Sequence, residues 1–99
     1  MAKDGKVRVG VIGCGGISRV HLPSLHRIEK AEIVAVCDLV ESKAKAKAEE
    51  FGVKKTYVLH REMLEKEELD AVWVLAEPDR MFCPVVECLE AGKHVFMEK

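Results

Sequence analysis

The chain has 99 residues, 48% hydrophobic and 33% charged, and its 16 basic and 17 acidic residues give a formal net charge of -1. That length suits one domain with a modest core and is too short for a two-domain enzyme. The charges are mixed along the chain, which argues against a dedicated basic face for nucleic acid, and no apolar run approaches the length of a membrane span.

Val7 to Ile12 is apolar at nearly every position, the pattern of a strand buried on both faces of a parallel sheet. It runs into Gly13-Cys14-Gly15-Gly16-Ile17-Ser18, where Gly13, Gly15 and Ser18 form G-x-G-x-x-S, close to the dinucleotide fingerprint. Gly13 permits a tight turn off the strand, and the missing side chain at Gly15 lets a pyrophosphate approach the backbone. Amides from Gly13 to Ile17, at the start of the next helix, would seat the diphosphate. A glycine-rich turn is also, more simply, a tight connection. Ile17, Val20, Leu25 and Ile28 then recur at helical spacing, predicting a helix over Ser18 to Glu29 with Pro23 bending it.

Ile33 to Cys37 is a second buried strand, and it ends at Asp38. An acid at that point, about 20 residues beyond the glycines, accepts hydrogen bonds from the hydroxyls of an adenosine ribose. The alternative is a cap for the helix that starts near Glu41. A carboxylate also selects against a 2′-phosphate, since like charges about 4 Å apart repel by roughly 4 kcal/mol at an intermediate dielectric. NAD is therefore expected over NADP, with Lys43 close enough to soften the preference.

Glu41 to Phe51 reads as a helix with Ala44, Ala48 and Phe51 inward and Gly52 as its C-terminal cap. Lys43, Lys45 and Lys47 form its solvated face. Val53 to Val58 is a short strand near an edge, given Lys54 and Lys55. Arg61 to Glu68 is a surface helix and Ala71 to Leu75 a fourth strand. The stretch Leu75-Ala76-Glu77-Pro78 opens the next loop, Ala76 to Arg80, on the same edge as the glycines. Met81 to Ala91 is a helix closed by Gly92, and His94 to Met97 is a fifth strand leading to Glu98 and Lys99.

Alternating strands and helices predict an α/β fold, a doubly wound parallel sheet in the order 3-2-1-4-5, with ligands at the switch point between the first and fourth strands. Its fifth strand lies at an open edge, which predicts self-association into dimers or larger species. Met1 to Lys6 lacks the apolar core of a signal peptide, so a cytoplasmic location is expected. Cys14, Cys37, Cys83 and Cys88 contain no C-x-x-C pair, and His21, His26, His60 and His94 show no zinc spacing. They read as reduced thiols and ordinary polar or core residues, with no metal site expected.

Three stretches together resemble the amino-terminal domain of the Gfo/Idh/MocA oxidoreductases, which include glucose-fructose oxidoreductase and inositol dehydrogenase. They are Gly10-Val11-Ile12-Gly13-Cys14-Gly15-Gly16-Ile17, Ala35-Val36-Cys37-Asp38 and Leu89-Glu90-Ala91-Gly92-Lys93-His94-Val95-Phe96-Met97-Glu98-Lys99. The resemblance implies a Rossmann fold over residues 1–99 that binds NAD or NADP, and hydride transfer to or from a carbon bearing a sugar or cyclitol hydroxyl. It assigns proton movement beside the reacting carbon to Lys99, nicotinamide-side contact to Glu98, and cofactor contact to the loop after the fourth strand. It also implies a second domain supplying the substrate surface, so that the 99 residues alone bind cofactor without turnover. In Glu77-Pro78-Asp79-Arg80-Met81-Phe82, Glu and Phe replace the Thr and His common in the family. That departure favours the competing reading, a nucleotide-binding or interaction module that has lost the chemistry. A methyltransferase on the same sheet is a third reading, and the lack of G-K-[ST] after the glycines disfavours a P-loop nucleotidase.

Overall fold

The computed structural model of the protein describes residues 6–13, 30–75 and 78–97. The elements there are β1 (Val7–Ile12), β2 (Ala31–Cys37), α1 (Glu41–Phe51), β3 (Lys55–Tyr57), α2 (His60–Lys66), β4 (Ala71–Val74), α3 (Pro78–Glu90) and β5 (His94–Met97). The strands form one sheet in the order β3-β2-β1-β4-β5, and every pairing is parallel. This is the doubly wound order expected from the alternation of elements. The helix expected over Ser18 to Glu29 lies outside the described residues.

The central strand is buried on both sides, as its unbroken apolar run requires. Val9 and Val11 face one core with Val36 of β2, Leu75 and the inward Ala44 and Ala48 of α1. Ile12 faces the other with Ala35, Cys37, Val72, Val74, Met63 of α2 and Cys88 of α3. Each fully buried aliphatic side chain stabilises the fold by about 1.5–3 kcal/mol. Gly10 stands between them for a steric reason. A Cβ there would lie 2.8 Å from Leu69 Cδ1 and 3.0 Å from Met63 Cε, so the bare backbone is what lets α2 and the turn after it close on β1.

Several boundaries differ from the sequence expectation, each for a local reason. β2 begins at Ala31, because Val7 and Arg8 at the start of β1 already pair with Ala31 and Glu32. β3 is shorter than Val53 to Val58: the Val53 N–H is taken by the Ala48 carbonyl, and Val58 is exposed. α2 starts at His60 and stops at Lys66, where Glu67 turns extended and returns its N–H to the Met63 carbonyl. α3 starts at Pro78, where a proline is at home because the first helical residue needs no N–H partner. The expected loop from Ala76 to Arg80 is therefore shorter, its last three residues belonging to the helix. Pro84 lies inside α3 and is buried.

Other expectations hold closely. α1 ends at Gly52, whose φ of 69° is left-handed and whose N–H caps onto the Ala48 carbonyl. Lys45 pairs with Glu41 at the surface. Lys47 departs from the solvated face: its side chain is only 13% exposed, and its Nζ sits 6.0 Å from the centre of the Phe51 ring while reaching Glu50. Its charge is met by the Glu50 carboxylate at 3.3 Å.

The end of the sheet where the strands begin is pinned by polar groups. Arg8 N–H donates to Asp70 Oδ2 at 2.9 Å and Arg8 Nε to the Glu68 carbonyl at 2.6 Å, while Asp70 N–H returns to the Arg8 carbonyl at 2.8 Å. The Asp70 carboxyl is held below its usual range, chiefly by the Arg8 amide. On one face, α2 and α3 are joined through Glu87, which receives Arg61 Nε at 2.6 Å and meets His60 Nε2 at 3.1 Å. Among the described residues no helix is long and apolar enough to cross a membrane.

Candidate functional site

The strands finish level with one another. Ile12 pairs with Cys37 on one side and Val74 on the other, and Val74 pairs with Met97. The residues that follow β1, β2 and β4, namely Gly13, Asp38 and Leu75, therefore leave the sheet along one rim. Each also extends the ladder by one bond. Asp38 N–H donates to the Tyr57 carbonyl at 3.0 Å, Gly13 N–H to the Cys37 carbonyl at 2.7 Å, and Leu75 N–H to the Ile12 carbonyl at 2.7 Å.

Gly13 has a φ of 99°, a conformation open to glycine and strained for any other residue. Its amide is already committed to Cys37, so the expectation that amides from Gly13 onward receive a phosphate is corrected at this residue. Gly13 acts by turning the chain. The Leu75 side chain is buried in the core with Val9, Val11 and Val36, and its N–H donates to the Ile12 carbonyl. Only its carbonyl is left to offer.

Asp38 bears on both sequence readings. Its Oδ1 accepts the Val40 N–H at 2.8 Å, ahead of the helix. The N-cap of α1 is Val40, with no side-chain cap bond, and the Lys43 and Ala44 amides go to the Val40 carbonyl. The Asp38–Val40 bond therefore lies ahead of the first turn of α1. The carboxylate stands at a strand end one residue past the group that anchors Gly13. Beside it Leu39 is 64% exposed and Val40 47% exposed. Because Cys37 pairs with Tyr57, the exposed Val58 and Leu59 of the next turn stand alongside. An acceptor carboxylate next to a left-handed glycine and an apolar lip fits the ribose and base of a dinucleotide.

Neighbouring groups are inert. Burial, then Asp38 and Cys88, push the Cys37 thiol up to about 12, and burial raises Cys88 to about 11. Both stay protonated and non-nucleophilic at neutral pH. Tyr57 donates its hydroxyl to Glu67, which raises it to about 12. Among the described residues no group of three His, Cys, Asp or Glu side chains could hold a metal ion.

The remaining expected site residues are Cys14, Gly15, Gly16, Ile17, Ala76, Glu77, Glu98 and Lys99, and they lie outside the described residues. Pro78 is the first residue of α3. Two features had gone unread in the sequence. The Val40 amide was legible as the usual turn partner of an Asp two residues earlier. The His60–Glu87 contact had no local signal, because it joins residues on different helices.

A family model described as "Oxidoreductase family, NAD-binding Rossmann fold" matches residues 7–99. The chain belongs to the Gfo/Idh/MocA oxidoreductase family. It is an NAD-binding Rossmann unit of that family. The chain is 37% identical over 93 residues to the myo-inositol 2-dehydrogenase of Thermotoga maritima, covering 94% of this chain and 28% of that one. It is also 37% identical over 95 residues to an inositol 2-dehydrogenase/D-chiro-inositol 3-dehydrogenase of Shouchella clausii, with the same coverage. Among solved structures, the scyllo-inositol dehydrogenase of Lactobacillus casei with bound NAD(H) and scyllo-inositol superposes with a TM-score of 0.87 at 25% identity. That match covers 95% of this chain and 28% of that one. A probable dehydrogenase from Thermotoga maritima superposes with a TM-score of 0.86 at 36% identity, covering 94% and 28%. The chain therefore spans little more than a quarter of the length of these relatives.

Proposed function

We propose that residues 1–99 are the cofactor-holding domain of an NAD-dependent oxidoreductase acting on a hydroxyl of a sugar or cyclitol. The observation that carries this is the placement of Asp38: it follows the end of β2 directly after Cys37, whose carbonyl takes the Gly13 amide at 2.7 Å. Asp38 accepts from the adenosine ribose, and the lip of Leu39, Val40, Val58 and Leu59 receives the base. The turn of Gly13, Cys14, Gly15, Gly16 and Ile17 takes the pyrophosphate, with amides beyond Gly13 as donors. Leu75, Ala76, Glu77 and Pro78 flank the cofactor further along the rim, and Glu98 lies on its nicotinamide side.

When bound, NAD supplies the hydride acceptor. Lys99 is the residue of this chain assigned to the proton: an ammonium beside an alkoxide stabilises its charge and relays a proton. The names of the relatives, which specify inositols, support this substrate class. The 99 residues bind the cofactor without turnover, because their relatives are more than three times as long. The protein acts in the cytoplasm as a homo-oligomer.

Titration calorimetry with NAD and NADP, followed by a dehydrogenase assay on polyols, tests the proposal. Heat with NAD, weaker heat with NADP and no turnover are expected. An absence of heat with either dinucleotide would contradict it.

A further inference from the structure

The exposed turn of Val58 and Leu59 is bracketed by two side chains that reach away from the rim. Tyr57, just before it, packs on the core and donates its hydroxyl to Glu67, just past the end of α2. The Tyr57 carbonyl also takes the Asp38 amide at 3.0 Å. His60, just after the turn, sets its Nε2 3.1 Å from Glu87 Oε1 on α3, and Glu87 also receives Arg61 Nε at 2.6 Å. The two partners stand 10 and 27 residues along the chain, so both contacts are made by the fold rather than by the turn itself. Met63, buried in the core, keeps α2 on the sheet independently of either.

We infer that Tyr57 and His60 are positioning residues for the adenine side of the cofactor, holding the lip of Val58 and Leu59 in register with Asp38 before the dinucleotide arrives. The inference rests on the proposed reading of that lip as the seat of the base. The lip lies between a three-residue edge strand and a seven-residue helix, two short elements with little contact area of their own. A base gains contact with apolar side chains only where they are already in place, and ordering one such side chain on binding costs roughly two- to tenfold in affinity. Tethers on both flanks complete that ordering during folding. Neither Tyr57 nor His60 has to touch the cofactor, since each is engaged on the α2 and α3 side of the sheet.

Amide-shift titrations of the full chain, which read weak affinities, test this with AMP, nicotinamide mononucleotide and NAD. AMP carries the base and nicotinamide mononucleotide lacks it. Tyr57→Phe removes the bond to Glu67 and keeps the ring in the core. His60→Ala removes the contact with Glu87, and His60→Gln restores a nitrogen donor in its place. Tyr57→Phe and His60→Ala are each expected to weaken AMP and NAD by the same factor, roughly two- to tenfold. Nicotinamide mononucleotide should bind unchanged, and His60→Gln should bind close to wild type. In a Leu59→Ser background, where the lip is already lost, His60→Ala should cause no further loss of AMP. The inference is overturned if both variants bind AMP as wild type, if both mononucleotides weaken equally, or if the loss persists in the Leu59→Ser background. Wild-type protein that binds neither AMP nor NAD would remove the proposed function and this inference with it. That failure shows in the wild type alone, so it is distinguishable from a failure in the variants.

Discussion

Gly13 and Cys37 are joined by a hydrogen bond of 2.7 Å from the glycine amide to the cysteine carbonyl. That bond carries the β1–β2 ladder one residue past the end of both strands, and it brings the left-handed turn at Gly13 beside Asp38. It also takes up the Gly13 amide, and the φ of 99° there turns the chain off the strand.

On the proposed reading, Asp38 contributes to cofactor binding with little effect on folding. Since its bond to the Val40 amide is exposed, Asp38→Ala is expected to shift stability by less than about 1 kcal/mol. Loss of bonds to a charged acceptor weakens NAD by about 1.5–3 kcal/mol, on the order of tenfold to a hundredfold. Pairing Asp38→Ser with Leu39→Arg removes the repulsion and adds a guanidinium for a 2′-phosphate, and should turn the preference toward NADP. Thermal melts and calorimetry with both dinucleotides check these outcomes.

Gly10 is a packing residue. Gly10→Ala sets a methyl group against Leu69 and Met63, which are buried on the face beneath α2, and should destabilise by about 1–3 kcal/mol in urea unfolding. Adding Leu69→Val, which draws the 2.8 Å contact back, should recover part of the loss. Equal stability of Gly10→Ala and wild type would contradict the contact.

The Arg61–Glu87–His60 group makes the α2–α3 junction sensitive to acid. Arg61 first, then His60, holds the Glu87 carboxyl below its ordinary value of 4.5. A group depressed in the folded state stabilises it above the unfolded value, and that contribution fades as pH falls through the folded one. Between wild type and Glu87→Gln the difference in melting temperature should therefore be full near neutrality and shrink below about pH 4.5. A constant difference down to strongly acid pH would refute this.

Cys37 and Cys88 are both buried, with thiols raised to about 12 and about 11. At pH 8 neither should be alkylated by iodoacetamide in the folded protein, and both should label fully in denaturant, as mapped by peptide mass spectrometry. Labelling of Cys37 in the native state would show the β2 end to be open.

The strand order, both cores, the Gly52 cap and the position of Asp38 were legible in the sequence, because apolar runs, glycines and strand-end acids act locally. What was not legible depends on neighbours distant in the chain. Gly10 looks like part of an apolar run until Leu69 and Met63 are placed over it. The Gly13 amide looks available until Cys37 takes it. Pro78 looked like a loop residue because a proline signals a break as readily as a first helical position.

On the proposed function, NAD seats at the ends of the strands beside Gly13 and Asp38. Backbone amide shifts recorded while NAD is added to the isotopically labelled chain test it most directly. The largest changes are expected on Gly13, Asp38, Leu39, Val40 and Leu75, with Arg8 and Asp70 at the opposite end of the sheet unmoved. Changes centred on Arg8 and Asp70, or none at Asp38 under saturating NAD, would contradict it.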